Sequence, residues 1–148
     1  MSTSISCTHQ PTSGETWNVL GELLTCRVRS ADTGGAYAVV DEVTPPGMGP
    51  PLHVHQREQE VFCILRGTYE FTIGNEKRTA SAGDVISAPR GVPHTFRNVG
   101  KVENLMVITL IPGGFERFFE EVNVAGADHP LALPEVVAIA RQYGLEFL

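Results

Sequence analysis

Three histidines and one glutamate carry the chemistry this sequence can do. His53 and His55 are two residues apart, Glu60 follows closely, and His94 lies further along the chain. On an extended strand residues i and i+2 share a face, so His53 and His55 can reach one ion together while Val54 points away. Glu60 opens an apolar strand and shares its face with Phe62 and Ile64, whereas Cys63 falls on the opposite face and drops out as a ligand. His94 follows the turn-rich stretch 89–93 and shares a face with Phe96 and Asn98. Three imidazoles and a carboxylate arriving from three strands suit one divalent transition ion, whose preferred species (Fe, Mn, Ni, Cu or Zn) is not fixed by such ligands. Held octahedrally by four protein ligands, the ion keeps two positions open, which favours catalysis over a closed structural role. Glu58 is the alternative carboxylate if the register slips by two; otherwise Glu58 and Arg57 are charges at the rim. His9 and His129 stand alone and read as structural or exposed.

The elements that must position these residues are short strands. Segments 19–28 and 36–44 have strand length and flank the turn residues Asp32, Thr33, Gly34 and Gly35. Strands are expected at 60–66 and 68–73, the second alternating Tyr69, Phe71 and Ile73 with Thr68, Glu70 and Thr72, which gives one wet face. Gly74 and Asn75 supply a hairpin turn into 77–80, and further strands follow at 84–88, 94–98 and 104–111. The last has two apolar faces, Leu105, Val107 and Ile111 against Met106, Ile108 and Leu110, so both need cover. One cover is the barrel interior; the other is the C-terminal helices or a second subunit, and a homodimer is expected. Beyond Gly114 the period turns helical. Phe115, Phe118, Phe119 and Val122 form one stripe and are assigned to the core, and a second helix is expected from Pro134 to a stop at Gly144.

Composition narrows the class. The chain has 148 residues, 42% of them hydrophobic and 19% charged, enough for one folded domain with its own core. A net charge of −6 and a pI near 5.3 argue against nucleic-acid or anionic-membrane partners. The three cysteines, Cys7, Cys26 and Cys63, lack CxxC spacing and read as reduced. No apolar run reaches the ~20 residues of a spanning helix, and the first residues carry neither a basic leader nor a signal-length apolar run, so a cytoplasmic protein is expected. Residues 1–14 read as a loose polar arm, 15–112 as the barrel and 113–148 as a helical extension packed on it.

Two motifs carry a resemblance. Gly47, His53, His55, Glu60 and Gly67 match the first cupin motif, and Gly83, Pro89, Gly91, His94 and Asn98 match the second, both in full. The chain thus resembles the cupin superfamily over about residues 17–112. The resemblance implies an all-β fold, a small jelly-roll barrel, with short C-terminal helices, and implies His53, His55, Glu60 and His94 as metal ligands. Residues 112–120 are similar to the tail of single-domain bacterial cupins compared with quercetin 2,3-dioxygenases. That likeness implies a metal-dependent dioxygenase for a small aromatic or enolic substrate, with Glu60 as both ligand and proton acceptor. The alternatives are a non-catalytic small-ligand binder and a metal-dependent isomerase or lyase. Phe62, Phe71, Phe96 and Val107 are the candidates for pocket walls, and few polar residues are visible on the inward face near the ligands.

Overall fold

The computed structural model describes residues 14–148; of the expected polar arm all but Gly14 lies outside the described residues. Among the described residues eleven strands form two sheets, β1 (Thr16–Val19), β2 (Glu22–Val28), β3 (Ala38–Thr44), β4 (His53–His55), β5 (Gln59–Arg66), β6 (Thr68–Ile73), β7 (Glu76–Ser81), β8 (Val85–Ala88), β9 (His94–Asn98), β10 (Asn104–Ile111) and β11 (Leu145–Phe147). One sheet runs β1-β2-β3-β10-β5-β8 and the other β11-β4-β9-β6-β7. The strands pair antiparallel throughout the described residues. Facing each other, the two sheets make the expected jelly-roll barrel. Its core comes from alternate residues of both: Leu24, Val40, Phe62, Ile64, Tyr69, Phe71, Met106 and Leu110 are almost wholly buried.

The segment expected as one strand over 19–28 is instead a hairpin. Leu20 and Gly21 turn the chain with positive φ, 53° and 90°, a two-residue loop whose twist matches that of its strands. Leu20 is the only non-glycine residue with positive φ among the described residues, and the apolar residues around it hide the turn from a composition reading. Strand β10 also departs from expectation. Met106, Ile108 and Leu110 are buried, but Leu105 and Val107 on the outer face are only half-buried and Ile111 is exposed. Val107 therefore lines no interior pocket.

The helices do not cover that outer face. Helix α1 (Glu116–Ala125) packs on β1, and α2 (Leu133–Gln142) packs on α1 and β11. Glu116 explains where α1 starts. Its carboxylate accepts from the Ser30 N–H at 2.8 Å and the Gly114 N–H at 2.7 Å, tying the first turn to the 3-10 turn Ser30–Thr33. After Gly144, at φ 71°, the chain forms β11, which the sequence reading missed. No helix among the described residues is long and apolar enough to cross a membrane.

Candidate metal centre

Each candidate ligand is placed by its strand and fixed by its neighbours. The strand β4 is only three residues long, and all three are buried. It lies between β9, which it meets at His53 and His94, and β11, where Leu145 pairs with His55 and Phe147 with His53. Glu60 comes from β5, in the opposite sheet, on the same face as the buried Phe62 and Ile64. The turn before β9 uses Gly91 at φ 75°, a backbone state that costs glycine little, and sends His94 into the barrel beside Phe96 and Asn98.

The four residues converge. One donor atom from each of His53, His55, Glu60 and His94 lies within 4.8 Å of all the others. Bonds of about 2.0–2.2 Å to a transition ion need opposed donors about 4.2 Å apart, so a contraction of a few tenths of an ångström seats one. The ring orientations agree. A carbonyl oxygen can only accept, so His53 Nδ1–H donates to Pro51 O at 2.8 Å and His94 Nδ1–H to Val92 O at 3.0 Å. Both rings thereby turn Nε2 inward. Glu60 Oε2 lies 2.7 Å from His94 Nε2 and 3.2 Å from His55 Nε2.

The electrostatics follow from this crowding. Burial would raise the Glu60 carboxyl, but the surrounding imidazoles and the hydrogen bond from His94 outweigh it and bring its pKa down to about 2. Burial and the neighbouring His94 push His53 down to about 4. For His94 burial works downward, yet the bond to Glu60 wins and its pKa is raised. Acceptors at both ring nitrogens favour the protonated form of His94, and a cation at Nε2 would take the place of that proton.

His53, His55 and Glu60 open onto a cavity that is continuous with solvent. Phe96, Phe115, Phe118, Phe119 and Phe147 contribute to its walls. The aromatic stripe of α1 is thus core and pocket wall at once, since the Phe115 ring stands edge-on to His55 with centroids 4.4 Å apart. Phe62 and Phe71 fill the barrel behind it. His129, by contrast, is exposed and lies 3.7 Å from Glu135.

Two cavity residues were missed from the sequence. Glu22 and Glu42 line the same space, 7% and 3% exposed, against the expectation of few polar inward groups. The two carboxyls interact with each other, and burial works against the charged form of both. Burial pushes Glu22 up to about 7. Burial and the charge of Glu22 raise Glu42 as well. Thr44 donates its hydroxyl proton to Glu42 Oε1 at 2.9 Å, and Tyr69 OH is 3.0 Å from Thr44 Oγ1. The alternation of Glu22 with Leu24 and Cys26 was a usable signal, but reading 19–28 as one strand obscured it. Glu58 corrects a further expectation: it is no rim charge but 5% exposed, with Oε2 3.4 Å from His55 Nδ1. That is the far side of the His55 ring from Glu60.

Known proteins resemble this chain in sequence and in fold. Residues 40–111 match the profile of the cupin domain. The germin-like protein 3-5 of Oryza sativa subsp. japonica is 32% identical over 108 residues, 68% of this chain and 47% of that one. Quercetin 2,3-dioxygenase of Aspergillus japonicus is 31% identical over 108 residues, 68% of this chain and 31% of that one. The chain thus spans about half or less of the length of these relatives. Among solved structures, KdgF from Halomonas sp. superposes with a TM-score of 0.67 at 18% identity, covering 76% of this chain and 98% of that one. With the domain match lying across the strands that carry all four converging residues, and with both glycine-framed motifs complete, the chain belongs to the cupin family.

Proposed function

We propose that the protein is a metal-dependent dioxygenase acting on a small aromatic or enolic substrate, with His53, His55, Glu60 and His94 as the ligands of one divalent transition ion. The observation that carries this reading is the convergence of the four residues, three of which, His53, His55 and Glu60, stand on the wall of a cavity that five phenylalanines also line. Such walls accept a planar ring and exclude bulk water. The likeness to quercetin 2,3-dioxygenase supports the same class. When bound, the ion would supply Lewis acidity and, if redox-active, a path for electrons between substrate and dioxygen. The chain's own groups handle the proton and the orientation. Glu60 stays ionised at neutral pH and is the base for an enol or phenol O–H presented beside it. The rings of Phe115 and Phe147 flank the His55 and His53 imidazoles and limit the angles at which a flat substrate approaches.

A second reading, a metal-dependent isomerase or lyase for a hydroxylated substrate, is favoured by the Glu22–Glu42 pair, which offers a proton and acceptors on the cavity wall. Oxygen consumption separates the two. Protein reconstituted in turn with Fe, Mn, Ni, Cu and Zn is given flavonols, catechols and diketones in an oxygen electrode. Uptake with one metal and one substrate class is the expected result. Absence of uptake throughout, with tight binding of an unmodified ligand, would make the protein a binder instead.

A further inference from the structure

We propose that Glu58 is a positioning residue for the metal centre, fixing the tautomer and electron-donating strength of His55 and so making that imidazole unlike the other two. The inference rests on His53, His55, Glu60 and His94 being the ligands. Its basis is how each ring is held from behind. His53 and His94 turn their Nδ1–H toward backbone carbonyls, of Pro51 and Val92. His55 Nδ1 has no carbonyl; it faces a carboxylate oxygen, Glu58 Oε2, at 3.4 Å.

These two atoms are also orphans. His55 Nδ1 and Glu58 Oε2 are both buried, and neither has a hydrogen-bond partner. Leaving two such buried atoms unpaired is unfavourable, and each is the other's natural complement. A shift of a few tenths of an ångström turns the 3.4 Å approach into a charge-assisted Nδ1–H···O bond. Pulling His55 Nε2 toward an ion while Glu58 holds Nδ1 fixes the ring at both ends.

The chemical consequence is specific to the carboxylate. A carboxylate accepts more of the Nδ1 proton's charge than a carbonyl does, which makes the imidazole a stronger donor through Nε2. A centre with one such ligand among three binds its ion more tightly and is less electron-poor than one held by three carbonyl-backed rings.

The test uses the full chain, Co(II) as probe ion, and Glu58→Gln, which keeps shape but loses charge. Chelator competition should give roughly tenfold weaker Co(II) binding in the variant. The visible d–d bands of bound Co(II) should shift relative to the unaltered protein, a change that a residue acting only by packing would not produce. If Glu58→Gln does not fold, Glu58→Leu, of similar volume and without an acceptor, carries the same expectation. Equal affinity and superimposable spectra overturn the role of Glu58 while leaving the metal centre standing. An unaltered protein that binds no Co(II) overturns the ligand assignment itself, and the role of Glu58 with it.

Discussion

Glu60 and His94 belong to opposite sheets of the barrel, yet the carboxylate Oε2 of one lies 2.7 Å from the Nε2 of the other. The candidate centre therefore ties the two layers together through side chains, where the backbone ladder does not. An ion there is a cross-link between sheets, and its removal should be felt by the whole fold.

Metal should accordingly raise the unfolding temperature. An ion at a hundredfold excess over its Kd contributes about 2.7 kcal/mol, worth roughly 5–10 °C in a domain of this size. Scanning calorimetry of chelator-treated and reloaded protein measures it; an unchanged Tm with all five candidate ions would count against the cross-link.

Replacing His53 and His94 together by Ala should abolish stoichiometric metal while leaving the far-ultraviolet dichroism of a β protein. The rings are buried side by side, 4.4 Å between centroids, so some loss of stability is expected from the cavity alone. Elemental analysis decides the matter, since a double variant that keeps one ion per chain has its ligands elsewhere.

Glu60→Gln separates coordination from proton transfer. The amide still offers an oxygen to the ion but cannot take a proton, so partial metal content with a loss of turnover of at least a hundredfold is expected. Metal content and oxygen uptake measured on the same preparation show whether the two fall together or apart.

The Glu22–Glu42 pair predicts a stability that falls with pH. With the folded pKa of Glu22 raised from 4.5 to about 7, the folded state binds the proton more tightly than the unfolded one. That contribution is complete below pH 4.5, declines as the pH climbs, and is gone above 7, a span on the order of 3 kcal/mol. Glu22→Gln removes the titration, so its Tm should fall less than that of the unaltered protein between pH 5 and pH 8.

Gly67→Ala should destabilise the barrel by about 2–4 kcal/mol. The glycine has φ 86°, and a Cβ there would stand 1.7 Å from Asn104 Oδ1. Asn104 is fully buried and donates to Thr68 O at 2.6 Å, so it cannot swing aside without losing that bond. Urea denaturation gives the comparison, with Gly83→Ala, strained in φ but clear of neighbours, as the milder reference.

What was legible in the sequence is what short-range pattern encodes. Alternation in β6 and β9, the glycine turns and the His53, His55, Glu60 and His94 spacing all follow from local geometry, and the structure brings those four side chains together. Glu42 escaped because β3 carries apolar residues on both faces, Val40 with Glu42 and Val39 with Val43, so alternation alone did not say which was inward. Glu58 escaped because a charged residue beside a turn is usually solvated; its burial depends on His55 being next to it in space. Strand β11, three residues long, is below the length at which periodicity means anything.

That short strand bears on the order in which the molecule assembles. His55 pairs with Leu145, so β4 acquires its outer neighbour only after a loop of about ninety residues has closed, roughly twice the separation that brings β10 onto β5. Contacts so distant in sequence form slowly and late. The nascent barrel can collapse around Phe62, Phe71 and Met106 before β4 is clamped, and a competent centre is then among the last features to appear. Ion capture in a refolding experiment should lag behind the burial of Trp17 fluorescence, making metal uptake a clock for the completion of folding rather than its trigger.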